Sequence, residues 1–195
     1  MTISADQIPA QSQNQKPALE SQMNPAPEYD RDSYKGSDKL KGKVALITGG
    51  DSGIGRSVAV LYAKEGADVA IVYLNEHEDA QKTKQLVEAQ GQICLIIAGD
   101  ISGEKICHEA VEKTVAELGK LDILVNNAGA INDPVHFHEM ADSEIKKLID
   151  INLFGVFHMT KSVLNKMSDV KKGVIINVGS ISSERAIPRV HLAAY

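Results

Sequence analysis

The sequence is poor in the residues that define several classes of site. Its two cysteines, Cys94 and Cys107, fall in apolar or helical contexts, so we expect buried thiols of a reducing cytoplasm and neither a disulfide nor a metal site. The six histidines show no metal-ligand spacing. No apolar run approaches the roughly 20 residues that span a bilayer, and no basic stretch followed by an apolar one marks a secretory signal. The 26 acidic side chains outnumber the 21 basic ones, which argues against a nucleic-acid partner.

The sequence does have enough apolar material for one core, since 43% of its residues are hydrophobic and 24% are charged. Residues 1–38 differ from the rest, because they hold four of the six prolines and few large apolar side chains. Such a segment buries too little surface to offset its ordering entropy. We therefore expect a disordered N-terminal arm over residues 1–38 and a folded domain over residues 39–195.

From Leu40 onward, apolar runs typical of strands alternate with patterns typical of helices. The predicted strands are Val44–Ile47, Val69–Tyr73, Ile93–Ala98, Ile123–Asn126 and Val174–Val178, and the predicted helices are Arg56–Glu65, Glu78–Gln90, Gly103–Leu118 and Ser143–Met167. Continuous apolar strands alternating with helices indicate an α/β fold with a doubly wound parallel sheet, covered by helices on both faces. A ligand of such a sheet is expected at the carboxyl ends of the strands.

The most informative stretch is Thr48-Gly49-Gly50-Asp51-Ser52-Gly53-Ile54-Gly55, which lies between the first strand and the first helix. Gly49 allows a sharp reversal after the strand, Gly53 lets the backbone approach a phosphate, and Gly55 lets the helix pack close to the strand. The amides and positive dipole end of that helix would then face a dinucleotide pyrophosphate. The alternative is a plain strand-to-helix turn with no ligand.

This glycine spacing, together with Asn126-Asn127-Ala128-Gly129 at the end of the fourth strand, resembles the short-chain dehydrogenase/reductase family. The resemblance runs from Leu40 to Tyr195, roughly the first two-thirds of a family domain. The Pro-rich arm and the Lys39-Leu-Lys-Gly-Lys-Val segment resemble a bacterial, glucose-1-dehydrogenase-like subgroup. The implied fold is of Rossmann type with its C-terminal strands missing, and the implied cofactor-binding residues are Thr48, Gly49, Asp51, Ser52, Gly53, Ile54, Gly55, Tyr73, Asp100, Ile101, Asn126, Ala128 and Gly129.

Two of these assignments leave alternatives. Asp100 is expected to contact adenine, although it could instead cap the following helix, a role that Ser102 could also take. The cofactor is NAD or NADP, with a slight preference for NAD, because Tyr73 ends the second strand and no arginine follows it. Glu76 could bind the ribose hydroxyls or be a solvated loop residue, and Arg56 could in principle reach a phosphate.

The resemblance implies hydride transfer between a nicotinamide and a small alcohol or carbonyl compound, in a protein that forms dimers or tetramers. Ser180 would polarise the substrate oxygen and Tyr195 would exchange the proton. Asn152, with its main-chain carbonyl exposed at a helix distortion, would hold a relay water. Ser182 is the rival of Ser180, because it has the spacing to Tyr195 that is usual in the family. The family lysine that follows the tyrosine is absent, so we expect the chain as given to be inactive, or else to be a non-catalytic nucleotide-binding fragment.

Overall fold

The computed structural model describes residues 20–31, 33–132, 135–170 and 172–180. Its centre is a parallel sheet of five strands in the order β3-β2-β1-β4-β5. The strands are β1 (Val44–Thr48), β2 (Asp68–Tyr73), β3 (Cys94–Ala98), β4 (Ile123–Asn126) and β5 (Val174–Asn177). The strand order reverses at β1, so β1 and β4 flank the switch point of a doubly wound sheet. The predicted α/β fold is confirmed.

Alternate residues of each strand point to opposite sides of the sheet, so the apolar strands give it two apolar faces. Helices cover both faces. On one face, Leu46 and Leu124 pack with α3 (Glu104–Leu118) and α5 (Gly155–Val170). On the other face, Ile47 and Ile71 pack with α1 (Gly53–Lys64) and α2 (His77–Glu88). Every residue of β1 is buried, and burying each large aliphatic side chain contributes about 1.5–3 kcal/mol. The central strand is therefore a rigid support for the loop that follows it.

One predicted helix differs from the structure. The pattern over Ser143–Met167 predicted a single long helix, whereas the structure has α4 (Asp142–Ile149), a π-helical turn (Asp150–Phe154) and then α5. A π-helical turn inserts a residue without breaking the helix, so the hydrophobic periodicity on either side still reads as one helix. The remaining boundaries lie within a few residues of the predicted ones.

Several described residues of the segment before β1 contact the domain. Its first described element is a 3-10 turn (Glu20–Gln22), and a second 3-10 turn (Phe137–Glu139) precedes α4. The backbone of Gly36 runs so close to the end of α1 that a Cβ there would lie 1.8 Å from the carbonyl oxygen of Lys64. Of the described helices, none combines the length and apolar character needed to cross a bilayer.

Candidate cofactor site at the carboxyl ends of the strands

The turn between β1 and α1 has the backbone that its glycines predicted. Gly49 and Gly53 have left-handed φ angles of 63° and 51°, and the amide of Gly49 donates to the carbonyl oxygen of Val72, 2.7 Å away. Gly55 sits against the turn itself, since a Cβ on Gly55 would lie 1.9 Å from the carbonyl oxygen of Gly49. The first turn of α1 is therefore held tightly against the end of β1.

Thr48 and Asn127 join the ends of β1 and β4. The hydroxyl of Thr48 accepts hydrogen bonds from the amides of Asn127 and Ala128, each at 3.0 Å. The side-chain amide of Asn127 donates to the carbonyl oxygens of Thr48 and Gly49, also at 3.0 Å. The glycine turn and the Asn126–Gly129 segment are thus one hydrogen-bonded unit at the switch point of the sheet.

Asn126 makes the corresponding link between β4 and β5. Its side-chain nitrogen donates to Asn177 Oδ1 at 2.9 Å and to the hydroxyl of Thr160 on α5 at 3.2 Å. Asn126 Oδ1 is buried and has no hydrogen-bond partner among the described residues. A buried amide oxygen without a partner is unusual and is available to a ligand donor.

Asn152 lies in the π-helical turn and holds the loop after β4. Its Oδ1 accepts from the amide of Ala130 and its Nδ2 donates to the carbonyl oxygen of Ala130, both at 2.8 Å. A Cβ added to Gly129 would contact only Asn152 Oδ1, at 3.4 Å, among the described atoms near it. Asn152 therefore fixes the path of the chain just beyond Ala128 and Gly129.

Three buried carboxylates surround the end of β2. Asp51, Glu76 and Asp79 are each less than 8% exposed. Burial raises the pKa of Asp51, and the charges of Glu76 and Asp79 raise it further, against a hydrogen bond from Ser52. Glu76 Oε1 and Asp79 Oδ2 have no hydrogen-bond partner within the described part of the chain. This corner is strongly acidic and has unused acceptor atoms.

Tyr73 closes the same corner from the end of β2. Its hydroxyl lies 2.9 Å from Nδ1 of His77, and its side chain is 6% exposed. Burial raises the pKa of Tyr73, with smaller contributions from the negative charges of Asp51 and Glu76. Tyr73 is therefore a neutral phenol that packs beside the carboxylates.

Arg56 lies in the first turn of α1 and is 3% exposed. Its guanidinium donates to the carbonyl oxygen of Asp51 at 2.6 Å, to the hydroxyl of Thr83 at 2.9 Å and to Asp79 Oδ1 at 3.1 Å. It also pairs with the carboxylate of Glu20. Burial lowers the pKa of Arg56, and the hydrogen bond and charge of Asp79 oppose that shift. Its donors are engaged inside the protein, which argues against the possibility that it reaches a phosphate.

Asp100 and Ile101 follow β3. Asp100 Oδ1 accepts from the amide of Ser102 at 2.9 Å, and α3 begins after Gly103, without a side-chain cap among the described residues. Ile101 is 7% exposed and packs closely against Gly155, because a Cβ on Gly155 would lie only 2.9 Å from Cδ1 of Ile101. Ile101 thus joins the loop after β3 to the start of α5.

The predicted catalytic residues are only partly described. Ser180 is exposed and lies just beyond β5, whose register is continued by a hydrogen bond of 2.9 Å from the Val178 amide to the Asn126 carbonyl oxygen. The pairing of β5 with β4, which includes the Asn126–Asn177 hydrogen bond, therefore sets the position of Ser180. Ser182 and Tyr195 lie outside the described residues.

Sequence reasoning missed the residues that hold this site from outside its motifs, namely Glu20, Asp79, Thr83 and Thr160. Asp79 and Thr83 both contact Arg56. The only sequence signal of this shared contact was their spacing of four residues, which places them on one face of α2. Glu20 is 33 positions away from Gly53, in a segment whose composition predicted an arm. No local pattern connects the two.

The described residues fit a bound dinucleotide. No described atom lies within 4 Å of the position of a Cβ on Gly53, so the backbone there borders open space. Ile54, the next residue, is 64% exposed despite its apolar side chain. A left-handed glycine at the start of a helix of 12 residues, facing open space, is the arrangement that holds a pyrophosphate.

Comparison with known proteins gives matches over most of the chain. The family model described as short chain dehydrogenase matches residues 43–195. General stress protein 39 of Bacillus subtilis is 54% identical over 177 residues, which are 90% of this chain and 61% of that protein. Glucose and ribitol dehydrogenase of Daucus carota is 36% identical over 92% of this chain and 63% of its own length.

A solved structure agrees with these sequence matches. The crystal structure of NAD+-bound xylitol dehydrogenase superimposes with a TM-score of 0.75 at 28% identity, over 79% of this chain and 59% of that one. The chain therefore spans about 60% of the length of these three proteins.

Proposed function

Because the chain belongs to the short-chain dehydrogenase family, we propose that the whole protein is an NAD(P)-dependent oxidoreductase. It would transfer a hydride between a nicotinamide and the carbonyl or alcohol carbon of a small molecule. The observation that carries the proposal is the Thr48–Gly55 turn, which leads from a buried strand through two left-handed glycines into a helix N-terminus. The nicotinamide supplies the hydride chemistry when bound, and the protein positions and polarises the reactants.

Each part of the site has a role in this proposal. The amides in the first turn of α1 bind the pyrophosphate, and the Thr48–Asn127 contacts hold that turn in place. Ile101, Ala128 and Gly129 border the cofactor, and Asp100 accepts from the adenine. These roles are supported by the meeting of the strand ends at one edge of the sheet.

The chemical step uses Ser180 and Tyr195, which follow β5 in the sequence, together with Asn152 of the π-helical turn. Ser180 orients the substrate oxygen and Tyr195 donates the proton in reduction or accepts it in oxidation. Asn152 holds a water for proton relay, a role supported by its place in a π-helical turn, where regular helical hydrogen bonding is disturbed. A tyrosine needs a nearby cation to act as a base near neutral pH.

The test of this step is a nicotinamide absorbance assay of the whole protein against aldehydes, ketones, sugars and polyols, including glucose, ribitol and xylitol. We expect turnover of at least one compound, and Ser180→Ala should lower kcat by roughly 10²–10³-fold through loss of a donor to the substrate oxygen. Ser182→Ala is the matched control and should stay near wild type. The reverse result would assign the role to Ser182.

We infer that the preferred cofactor is NAD. Support comes from the acidic corner of Asp51, Glu76 and Asp79, where a 2′-phosphate would meet like charges and ribose hydroxyls would meet unused acceptors. Arg56, the cation nearest to this corner in the described contacts, already donates to Asp79. A 2′-phosphate would have to compete with that carboxylate for Arg56.

Cofactor preference is measured as the ratio of kcat/KM for NAD to that for NADP. Glu76→Gln should reduce this ratio roughly tenfold, because it removes a buried like charge and a ribose acceptor. Glu78→Gln changes an exposed neighbour in the first turn of α2 and serves as control. A wild-type preference for NADP would contradict the inference.

We also propose a reducing, cytoplasmic setting and a homo-oligomeric protein. The first is supported by Cys94 and Cys107, both buried and unpaired, where burial raises the pKa of each thiol, to about 12 and about 11 respectively. The second is supported by exposed apolar side chains around the π-helical turn and on α5, namely Leu153, Phe154, Phe157 and Leu164.

A further inference from the structure

The described residues before β1 lie along α1 and contact both of its ends. We define the strap as residues 20–31 and 33–39. Near the middle of the strap, the ring of Tyr29 lies 5.6 Å from the guanidinium carbon of Arg56, and Asp30 pairs with Lys64 at 2.7 Å. The strap therefore spans α1 from its first turn to its last.

At the N-terminal end of α1, the strap supplies an anion. Glu20 Oε1 accepts from the amide of Gly53 at 2.5 Å, and Glu20 Oε2 pairs with Arg56. Glu20 is 8% exposed. Ser52, the N-cap residue, makes no side-chain capping bond within the described structure, so the carboxylate of Glu20 takes the place of the cap.

At the C-terminal end of α1, the strap supplies donors. The carboxylate of Glu65 accepts from the hydroxyl of Tyr34, from the Ser37 amide at 2.9 Å, and from the Lys39 amide and ammonium, each at 3.0 Å. Several donors from one short stretch hold this end of the strap in place.

We propose that Glu20 occupies the anion site that the cofactor pyrophosphate uses, so that the strap and the dinucleotide compete for the N-terminus of α1. This inference rests on the proposed dinucleotide binding. The Glu20 end releases when the cofactor binds, and the Tyr34–Lys39 end stays docked. The strap is thus an intramolecular competitor tethered beside its own site.

Charge is the reason that the two anions exclude each other. A carboxylate and a phosphate oxygen are both acceptors for the Gly53 amide, and one helix N-terminus offers one axial position. The carboxylate of Asp79 already places negative charge next to Arg56. Adding a pyrophosphate beside Glu20 would bring further like charge into a buried region.

Release leaves no orphaned buried charge on the protein. When Glu20 leaves, Arg56 keeps its hydrogen bonds to Asp51, Thr83 and Asp79. The Gly53 amide then gains the pyrophosphate in place of Glu20. The exchange therefore costs little, as expected of an equilibrium that a ligand can shift.

The first test is a calorimetric titration of NAD+, and separately of inorganic pyrophosphate, into the whole protein. Glu20→Gln and Glu20→Ala should lower the Kd of both ligands roughly tenfold. This is the change expected if Glu20 blocks the site in about nine wild-type molecules of ten. Glu28→Gln is the matched control, because Glu28 lies in the strap but is exposed and pairs only with Arg31 in the contacts found. Melting temperatures check that all variants fold.

The outcomes separate the two proposals. Equal or weaker binding in both Glu20 variants, with NAD+ bound by the wild type, overturns the strap proposal alone. Failure of both NAD+ and NADP+ to bind any of the four proteins overturns the proposed function and the strap proposal with it. A second measurement is hydrogen exchange: NAD+ should speed exchange over residues 20–31 and leave residues 34–39 unchanged. Slower exchange over residues 20–31 would overturn the proposal.

Discussion

The two ends of α1 hold carboxylates in opposite ways. At the N-terminal end, Glu20 meets one backbone amide and an arginine that has other partners. At the C-terminal end, Glu65 belongs to the helix cap and receives donors from Tyr34, Ser37 and Lys39. The helix dipole favours an anion at the first end and disfavours one at the second. The strap's own donors must therefore stabilise Glu65, whereas any suitable anion can replace Glu20.

The largest expected effect comes from breaking the N-terminal end of α1. Gly55→Ala would place a Cβ 1.9 Å from the carbonyl oxygen of Gly49 and 2.7 Å from Asn127 Nδ2. Backbone cannot yield cheaply, so we expect a loss of about 3 kcal/mol or more in the free energy of unfolding. Denaturant unfolding of the whole protein measures it.

Gly103→Ala is the control for this substitution. Gly103 precedes α3 with a φ of −93°, and a Cβ there would meet only ordinary contacts, the nearest at 3.5 Å. Glycine is preferred over alanine at an N-cap, so Gly103→Ala should lose at most about 1 kcal/mol, well below the loss expected for Gly55→Ala. Equal destabilisation by the two substitutions would show that the close packing of α1 on the turn is unimportant.

The next effect sharpens the comparison by separating anion binding from stability. Gly53→Val puts a branched side chain into the open space beside the first turn of α1, where the pyrophosphate is proposed to bind. We expect the Kd for NAD+ to rise at least roughly tenfold, which corresponds to about 1.4 kcal/mol. Calorimetric titration measures the change.

Backbone strain is the confounding factor at Gly53, because its φ of 51° disfavours any side chain. Gly91→Val carries the same kind of strain, since Gly91 has a φ of 84° and open space around it, between α2 and β3. Both variants should lose similar stability, and only Gly53→Val should lose cofactor affinity. A matching loss of affinity in Gly91→Val would mean that strain alone explains the effect.

The sheet was predictable because its signals are local. Uninterrupted apolar runs such as Val69–Tyr73 report burial on both faces, and the glycine spacing reports the turn after β1. Hydrophobic periodicity gave no sign of the π-helical turn, and only the family resemblance pointed to a helix distortion at Asn152. The hydrogen bonds of Asn152 to Ala130 join residues 22 positions apart, and no sequence periodicity predicts such a contact.

The strap was the least predictable part, since its contacts depend on long-range pairing. Composition marked residues 1–38 as an arm, and that assignment stays a prediction for the segment as a whole. The described contacts of Tyr34 and Ser37 depend on Glu65, about 30 positions later. Polar residues that are solvated in an isolated peptide gain these hydrogen-bond partners only when the folded chain brings the ends of α1 beside them.

The smallest expected effect breaks the C-terminal end of α1 and depends on pH. Hydrogen bonds from the Tyr34 hydroxyl, then from the Ser37 and Lys39 amides, hold the pKa of Glu65 far below its ordinary value of about 4.3. A lowered pKa in the folded state adds stability above the unfolded-state value and loses it as the pH falls toward the folded-state value. Glu65→Gln should therefore lower Tm by a few degrees at pH 7, and the gap from wild type should shrink below about pH 4.

Calorimetric scans between pH 7 and pH 3 measure the gap, with Glu28→Gln as the exposed control in the strap. A gap that stays constant across this range would show that the charge of Glu65 does not hold the strap to α1.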